Sequence, residues 1–358
     1  MEWFENEELA MITDTIRDFS DQEVSGKVVD LERLEKPEFP RGAIDILSDL
    51  GFLWGPAPEK IGSGMDGITS VVILSKLAET SAGLAAIVAT HYAALGSILA
   101  APGGLSVLEG ICGDGTRRGG LPLLGISLES DVVPTGGSSG RTSCRAIPAP
   151  EKSDRTVIFR GRGPVAKVRI ANGPGISQYG VTGSSLPGCD EMPTIELVVP
   201  ETALADLDVI ASGQDAIVAL DALISSLKLN YSAVMQGAAR SATAYALNYA
   251  GERRQTGRAI IHHQNVRKKL VEMEIKNQSM ASFLYRAACS DVNDGEFNLK
   301  DMLYAYVKTE SEHVVNEAIQ TLGGYGYMRE YGLEKKPRDI KTLQALLPTT
   351  LSDWLGTR

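Results

Sequence analysis

Two short segments of the C-terminal third combine positive charge, neutral hydrogen-bonding side chains and glycines. The first runs from Arg253 to Gly257 and the second from Gln320 to Gly324. Arginine offers phosphate oxygens a planar, always charged donor, and adjacent glycines let backbone amides approach a ligand closely. Taken separately, the arginines suit a solvated helix end and the glycines a helix C-cap. The residue types nevertheless suit a phosphate-bearing ligand, with Arg253, Gln255, Thr256, Gln320, Gly323 and Gly324 as the candidate binding residues.

The composition is that of a soluble globular protein and narrows the classes of partner. Of the 358 residues, 43% are hydrophobic and 22% are charged, and the formal net charge is −10. This negative charge argues against a nucleic acid or an anionic membrane as the main partner. The most apolar stretch, 84–101, is interrupted by His91 and Gly96, so we expect no transmembrane helix.

The start of the chain and its cysteines predict a reduced, cytoplasmic protein. The first five residues are acidic and lack the basic region of a secretory signal. The four cysteines are scattered without CxxC spacing. His262 and His263 have no ligand partner at useful spacing, so we expect no metal site.

Hydrophobic periodicity changes twice along the chain and predicts an α+β protein of three domains. Residues 1–121 read as a helical domain, residues 122–212 as a small β-barrel or sandwich, and residues 213–358 as a four-helix bundle. The predicted helices span 5–24, 41–50, 69–81, 83–99, 215–251, 264–290 and 299–322. The predicted strands span 123–128, 156–159, 165–170 and 194–199.

This three-part order, with the motifs of the C-terminal third, resembles the acyl-CoA dehydrogenase family. The match covers most of the chain and includes 49–62 in the first domain and 248–339 in the last. The resemblance implies FAD as the cofactor, α,β-dehydrogenation of an acyl-CoA thioester, and electron-transferring flavoprotein as a candidate acceptor. It also implies that the six residues above reach the FAD of a neighbouring subunit, and hence that the protein is oligomeric.

The predicted β domain departs from the family pattern where that pattern faces the flavin ring. The family's Thr-Glu-Pro-x-Ala-Gly-Ser-Asp-like segment is replaced by residues 127–134, and its Trp-Ile-Thr-Asn-Gly-like segment by residues 169–173. Arg169 stands where an aromatic side chain would shield the flavin, and Ala171 lacks the hydroxyl that bonds the ring. We therefore expect this domain to hold a flavin poorly on its own.

The glutamate that removes the substrate's α-proton is missing from both positions where the family carries it. Counting along the chain places these positions near Leu227 and Leu347. Neither neighbourhood contains a carboxylate, and Asp221 and Asp353 are the nearest acidic residues. The sequence thus predicts no catalytic residue in this chain.

Three interpretations remain open. In the first, the chain is the non-catalytic subunit of a heterotetrameric acyl-CoA dehydrogenase, and a homologous partner supplies the glutamate and the acyl-CoA pocket. Such complexes degrade bulky acyl-CoA substrates, fatty-acid or steroid side chains among them. In the second, the chain is a self-sufficient flavoenzyme that uses a displaced base or none, such as a flavin oxidase or monooxygenase. In the third, it is a flavin-free scaffold subunit.

Overall fold

A computed structural model describes residues 7–27, 39–113, 122–129, 141–147, 152–160, 164, 166–181, 187–290 and 298–347. Within these ranges the chain forms helices, then a β-sheet, then helices again, in the order predicted from the sequence.

Five helices make up the first part. Ser20–Val24 continues the first helix as a π-helical turn. Asp66 and Ser81 cap the third and fourth helices, because their side chains accept hydrogen bonds from the N–H groups of Thr69 and Leu84. The four predicted helices are confirmed, but the fifth was missed because Gly103 makes a turn rather than a lasting break. The helices are α1 (Glu7–Phe19), α2 (Arg41–Asp49), α3 (Gly67–Thr80), α4 (Ala82–Ala100) and α5 (Gly104–Gly113).

The middle part is a seven-stranded sheet with the strand order β5-β6-β2-β1-β3-β4-β7. All neighbours are antiparallel except β1 and β3. Four strands were predicted, whereas β2, β5 and β7 were not. The strands are β1 (Leu124–Glu129), β2 (Arg141–Ile147), β3 (Arg155–Arg160), β4 (Lys167–Asn172), β5 (Gly180–Val181), β6 (Ile195–Pro200) and β7 (Asp208–Ser212), with short helices α6 (Gly173–Ile176) and α7 (Glu201–Ala205).

Four long helices that pack against one another form the last part. The 39-residue α8 lies at their centre and also contacts α3 and α4. Gly237 permits the close contact with α3, since a Cβ there would overlap the carbonyl oxygen of Ser75. The three predicted helices are confirmed, whereas a small hairpin and the last helix were not predicted. The elements are α8 (Gln214–Glu252), β8 (Arg254–Gln255), β9 (Arg258–Ala259), α9 (Gln264–Ala288), α10 (Leu299–Leu322) and α11 (Lys335–Leu346).

Helices α4 and α8 are long and apolar enough to cross a membrane by length and composition alone. In this fold 89% of the most apolar stretch of α4 and 50% of that of α8 are buried inside the protein. The protein's own core therefore accounts for the apolar surface of α4.

A buried ionic cluster joins the three parts. The Lys335 Nζ on α11 donates to Asp339 at 2.8 Å and to Glu191 at 3.1 Å. Asp339 also accepts the Cys189 N–H at 2.7 Å, while Ser81 at the start of α4 donates to Glu191 at 3.2 Å. Burial alone would lower the pKa of Lys335, but the two carboxylates outweigh burial and raise that pKa above its usual value. The cluster thus fixes the position of α11 relative to α4 and the sheet.

Candidate functional site

The six predicted binding residues line a single cleft where α8 and α10 end. The cleft has a volume of about 640 Å³, within the range of pockets that hold small molecules and cofactors. Its lining includes Arg253, Gln255, Thr256, Gln320, Gly323 and Gly324. The fold therefore brings the two sequence segments together, and their role in binding a ligand stays a prediction.

A tight hairpin presents the first segment to the cleft. Arg253 leaves α8 with its N–H bonded to the Tyr249 carbonyl at 2.8 Å, and its own carbonyl accepts the Ile260 N–H at 2.8 Å. Between β8 and β9 the two turn residues, Thr256 and Gly257, have φ values of 51° and 83°. Two successive positive φ angles suit a two-residue hairpin turn. Because Thr256 is β-branched, its backbone there is strained.

The second segment enters the cleft where α10 ends. Gly323 has a φ of 62°, and its N–H bonds to the carbonyls of Gln320 and Ile319. Its lack of a side chain permits this conformation. The Gln320 side chain lies in the cleft and its Nε2 donates to the Tyr327 hydroxyl at 3.2 Å. The glycines thus turn the chain at the point where Gln320 faces the cleft.

The charge in the cleft favours an anion. None of the described lining residues is acidic, and the exposed Arg253 side chain forms no ion pair with any part of the chain that the structure describes. Helix α9 begins at this cleft with His263 as its N-cap residue, and no side chain caps its first turn. Free N–H groups at a helix start carry partial positive charge and bind phosphates readily.

Both positions predicted to have lost the glutamate lie in the hydrophobic core. Leu227 on α8 is 1% exposed and Leu347 after α11 is 7% exposed. The neighbouring Lys228 pairs with Asp301 on α10 at 2.7 Å. The Tyr304 hydroxyl donates to the Leu347 carbonyl at 2.8 Å.

Of the two acidic residues nearest to these positions, the structure describes only Asp221. Asp221 on α8 is exposed, and burial of part of its carboxyl raises its pKa although Lys228 opposes the shift. Asp353 lies outside the described residues. The buried carboxylates Glu191 and Asp339 are bonded within the Lys335 cluster. Glu191 and Asp339 are therefore held as structural ion partners of Lys335.

The β4 residues that differ from the family pattern are buried in the sheet. Arg169 pairs with Ile158, and Ala171 pairs with Thr156 on the neighbouring strand. Ala171 packs in a small core that is separate from the main one and includes Ile158. The apolar side chain at this position has no hydrogen-bonding atom to offer a flavin. Of the segment 127–134, residues 130–134 lie outside the described residues.

Within the ranges that the structure describes, no group of three or more His, Cys, Asp and Glu residues is arranged to hold a metal ion. His262 lies in a short 3-10 turn, Ile260–His262, and His263 lines the cleft. Sequence analysis named His263 but assigned it no role in the cleft.

Comparison with known proteins decides the family. The family model for the acyl-CoA dehydrogenase N-terminal domain matches residues 6–104, and that for the C-terminal domain matches residues 218–347. The chain belongs to the acyl-CoA dehydrogenase family. Members of this family are flavoprotein oxidoreductases that typically bind FAD.

Individual relatives in the family match over almost the whole chain. Benzylmalonyl-CoA dehydrogenase from Aromatoleum aromaticum is 26% identical over 355 residues, which are 94% of this chain and 93% of the relative. Subunit CarC of the caffeyl-CoA reductase–Etf complex from Acetobacterium woodii is 24% identical over 360 residues, again 94% and 93%. The butyryl-CoA dehydrogenase structure from Megasphaera elsdenii superposes with a TM-score of 0.81 at 20% identity, covering 99% of this chain and 98% of the other. The chain therefore shares the acyl-CoA dehydrogenase fold over nearly its whole length.

The donor set of the cleft fits the pyrophosphate end of FAD. Arg253, the start of α9 and the absence of lining acids suit the pyrophosphate. Of the positions predicted to face the flavin ring, Ala171 packs in the small second core and Arg169 is buried. The fit is therefore to the nucleotide half of the cofactor.

Proposed function

We propose that this chain is the non-catalytic subunit of a heterotetrameric, FAD-dependent acyl-CoA dehydrogenase. In this proposal it contributes the nucleotide half of a shared flavin site, and a homologous partner completes the site. The observation that carries the proposal is a cleft suited to phosphates in a chain whose two base positions are buried leucines. An enzyme that acted alone would need both halves.

The residues of this chain bind and orient rather than react. Arg253 and the first turn of α9 hold the pyrophosphate, Gln255, Thr256 and Gln320 add neutral hydrogen bonds, and Gly323 and Gly324 admit the ligand close to the backbone. A flavin held there would supply the acceptor for the hydride from the β-carbon of the acyl-CoA. The glutamate that takes the α-proton, and most of the acyl-CoA pocket, belong to the partner.

The substrate class and the acceptor follow from the family. We infer an acyl-CoA thioester, of the bulky kind that includes steroid side chains, or a fatty acyl-CoA. Benzylmalonyl-CoA dehydrogenase, a relative named for a bulky acyl-CoA, supports this inference. Electron-transferring flavoprotein is the inferred acceptor, since another relative is a subunit of a reductase–Etf complex. The scattered cysteines support a cytoplasmic location.

The test replaces Arg253 in the complex that this chain is proposed to form with a homologous, glutamate-bearing partner. A charge-assisted hydrogen bond contributes about 1.5–3 kcal/mol, so Arg253→Ala should weaken FAD binding roughly 10- to 150-fold. Arg254→Ala is the matched control, because Arg254 is exposed on the same hairpin but does not line the cleft. FAD affinity is measured by fluorescence titration of flavin-depleted complex. Equal affinity in both variants and the wild type would refute the assignment.

A further inference from the structure

The cleft carries a cluster of aromatic rings beside its cationic side. Tyr249 and Tyr325 both line it, with ring centroids 6.3 Å apart and planes tilted by 59°. Tyr331 supports Tyr325 from behind at 5.3 Å. Tyr325 is still 39% exposed, so its neighbours leave part of the ring surface open. An open aromatic face in a polar cleft can stack on a planar heterocycle.

The backbone holds this ring in place. Tyr325 lies in the 3-10 turn Gly323–Tyr327, and Met328 donates its N–H to the Tyr325 carbonyl at 3.2 Å. Within the same turn, Gly326 packs so closely on α10 that an added Cβ would lie 2.6 Å from the Ile319 carbonyl oxygen. Tyr249 lies on the last turn of α8, one turn before Arg253. A ring fixed in this way loses little conformational entropy when a ligand stacks on it.

A hydrogen-bond acceptor lies beside the rings. The Gln320 Nε2 donates a hydrogen bond to the Tyr327 hydroxyl. The Gln320 Oε1 accepts no hydrogen bond from the described residues. An amide oxygen that accepts no other hydrogen bond can accept one from an N–H donor at the edge of a heterocyclic ring. At the 6-position of the purine, adenine carries such a donor in its exocyclic amine, whereas hypoxanthine carries an oxo group there and has its N–H donor at N1.

We propose that Tyr325 is the stacking surface for the purine ring of the nucleotide in this cleft, and that Gln320 selects adenine by accepting its exocyclic amine. The ring then lies at the tyrosines while the phosphates lie at Arg253 and the start of α9. This inference rests on the proposed function, because the nucleotide is taken to be the ADP portion of FAD. It assigns Tyr325 a binding role in place of simple packing.

The experiment titrates ADP and IDP into the flavin-depleted complex by isothermal calorimetry. Stacking on one aromatic side chain predicts that Tyr325→Leu, which keeps an apolar side chain without a ring, weakens ADP binding roughly 5- to 150-fold. Tyr325→Phe keeps the ring and should retain ADP affinity. The wild-type complex should prefer ADP to IDP roughly 10-fold, and Gln320→Leu should abolish that preference. ADP should also quench tyrosine fluorescence in the wild type and less in Tyr325→Leu.

The outcomes separate this inference from the proposed function. If Tyr325→Leu binds ADP like the wild type while Arg253→Ala does not, the stacking role is wrong and the nucleotide site stands. If both variants bind ADP like the wild type, the cleft is not the nucleotide site and the proposed function fails as well. If Tyr325→Leu separates the subunits on gel filtration but keeps its ADP affinity, Tyr325 packs at an interface instead.

Discussion

One buried histidine, His91, should make the stability of the protein fall as the pH drops below 6.5. It lies on α4 within the core, where its Nδ1 accepts the Leu124 N–H of β1 at 3.0 Å and its ring meets Trp54 edge-on at 5.3 Å. Burial lowers the pKa of His91 to about 3 from the 6.5 of a free imidazole. Protonating Nδ1 would also remove the acceptor that joins α4 to the sheet.

The magnitude follows from the difference in proton binding between the two states. Below pH 6.5 the unfolded chain binds a proton at His91 that the folded chain does not, so stability falls as the pH drops. The loss grows to about 1.4 kcal/mol at pH 5.5 and continues at about that rate per pH unit toward pH 3. Above pH 7 the imidazole is neutral in both states and the effect disappears.

The assay is equilibrium urea unfolding at about pH 7.5 and about pH 5.5, for wild type and for His91→Asn. Asparagine keeps an acceptor oxygen but does not titrate, so the variant should lose about 1.4 kcal/mol less between the two pH values. His313→Gln, at an exposed position on α10, should behave like the wild type. The reasoning is refuted if His91→Asn and wild type lose the same free energy of unfolding on acidification.

The other predictions concern the buried ions, the missing base and the strained turn. Asp339→Asn removes one of the two carboxylates that hold Lys335 and should lower the free energy of unfolding by about 3–5 kcal/mol; a loss below 1 kcal/mol in urea unfolding would contradict this. Leu227→Glu places a carboxyl at a 1% exposed position, so it should lower the free energy of unfolding by several kcal/mol. The variant should show no acyl-CoA-dependent dye reduction in the lone chain. Dye reduction at unchanged stability would show that this position can hold a catalytic glutamate. Thr256→Asn puts a residue that tolerates positive φ into the turn and should raise the free energy of unfolding by about 1 kcal/mol; an unchanged unfolding midpoint would show that Thr256 is not strained.

The long helices were predictable because local signals agree with their environment. The stripe of apolar residues along α1 and the all-round apolar surface of α4 each follow from periodicity. Hydrophobic periodicity did not predict that Arg253 and Gln320 line the same cleft. This prediction came from the order of motifs in a resemblance to a family, and the structure places both residues in the same cleft.

Other features were out of reach because they depend on tertiary contacts. Strand β2 has a polar sequence and is held by backbone pairing with β1 and β6. Because its apolar residues do not alternate with polar ones, the sequence did not predict this strand. The Lys335 cluster joins residues more than 140 positions apart in sequence. The hairpin at Thr256 could have been suspected from the glycine that follows it, although a threonine is unusual at such a turn.

The most direct test of the central claim is the visible absorption spectrum of this chain, purified alone and then together with its homologous partner. The account predicts a colourless lone chain and a flavin spectrum in the mixture that Arg253→Ala weakens and Arg254→Ala leaves intact. A lone chain that carries a full complement of flavin would contradict the shared site and make the protein an independent flavoprotein. A mixture without flavin would show that the complex binds none, which contradicts the account equally.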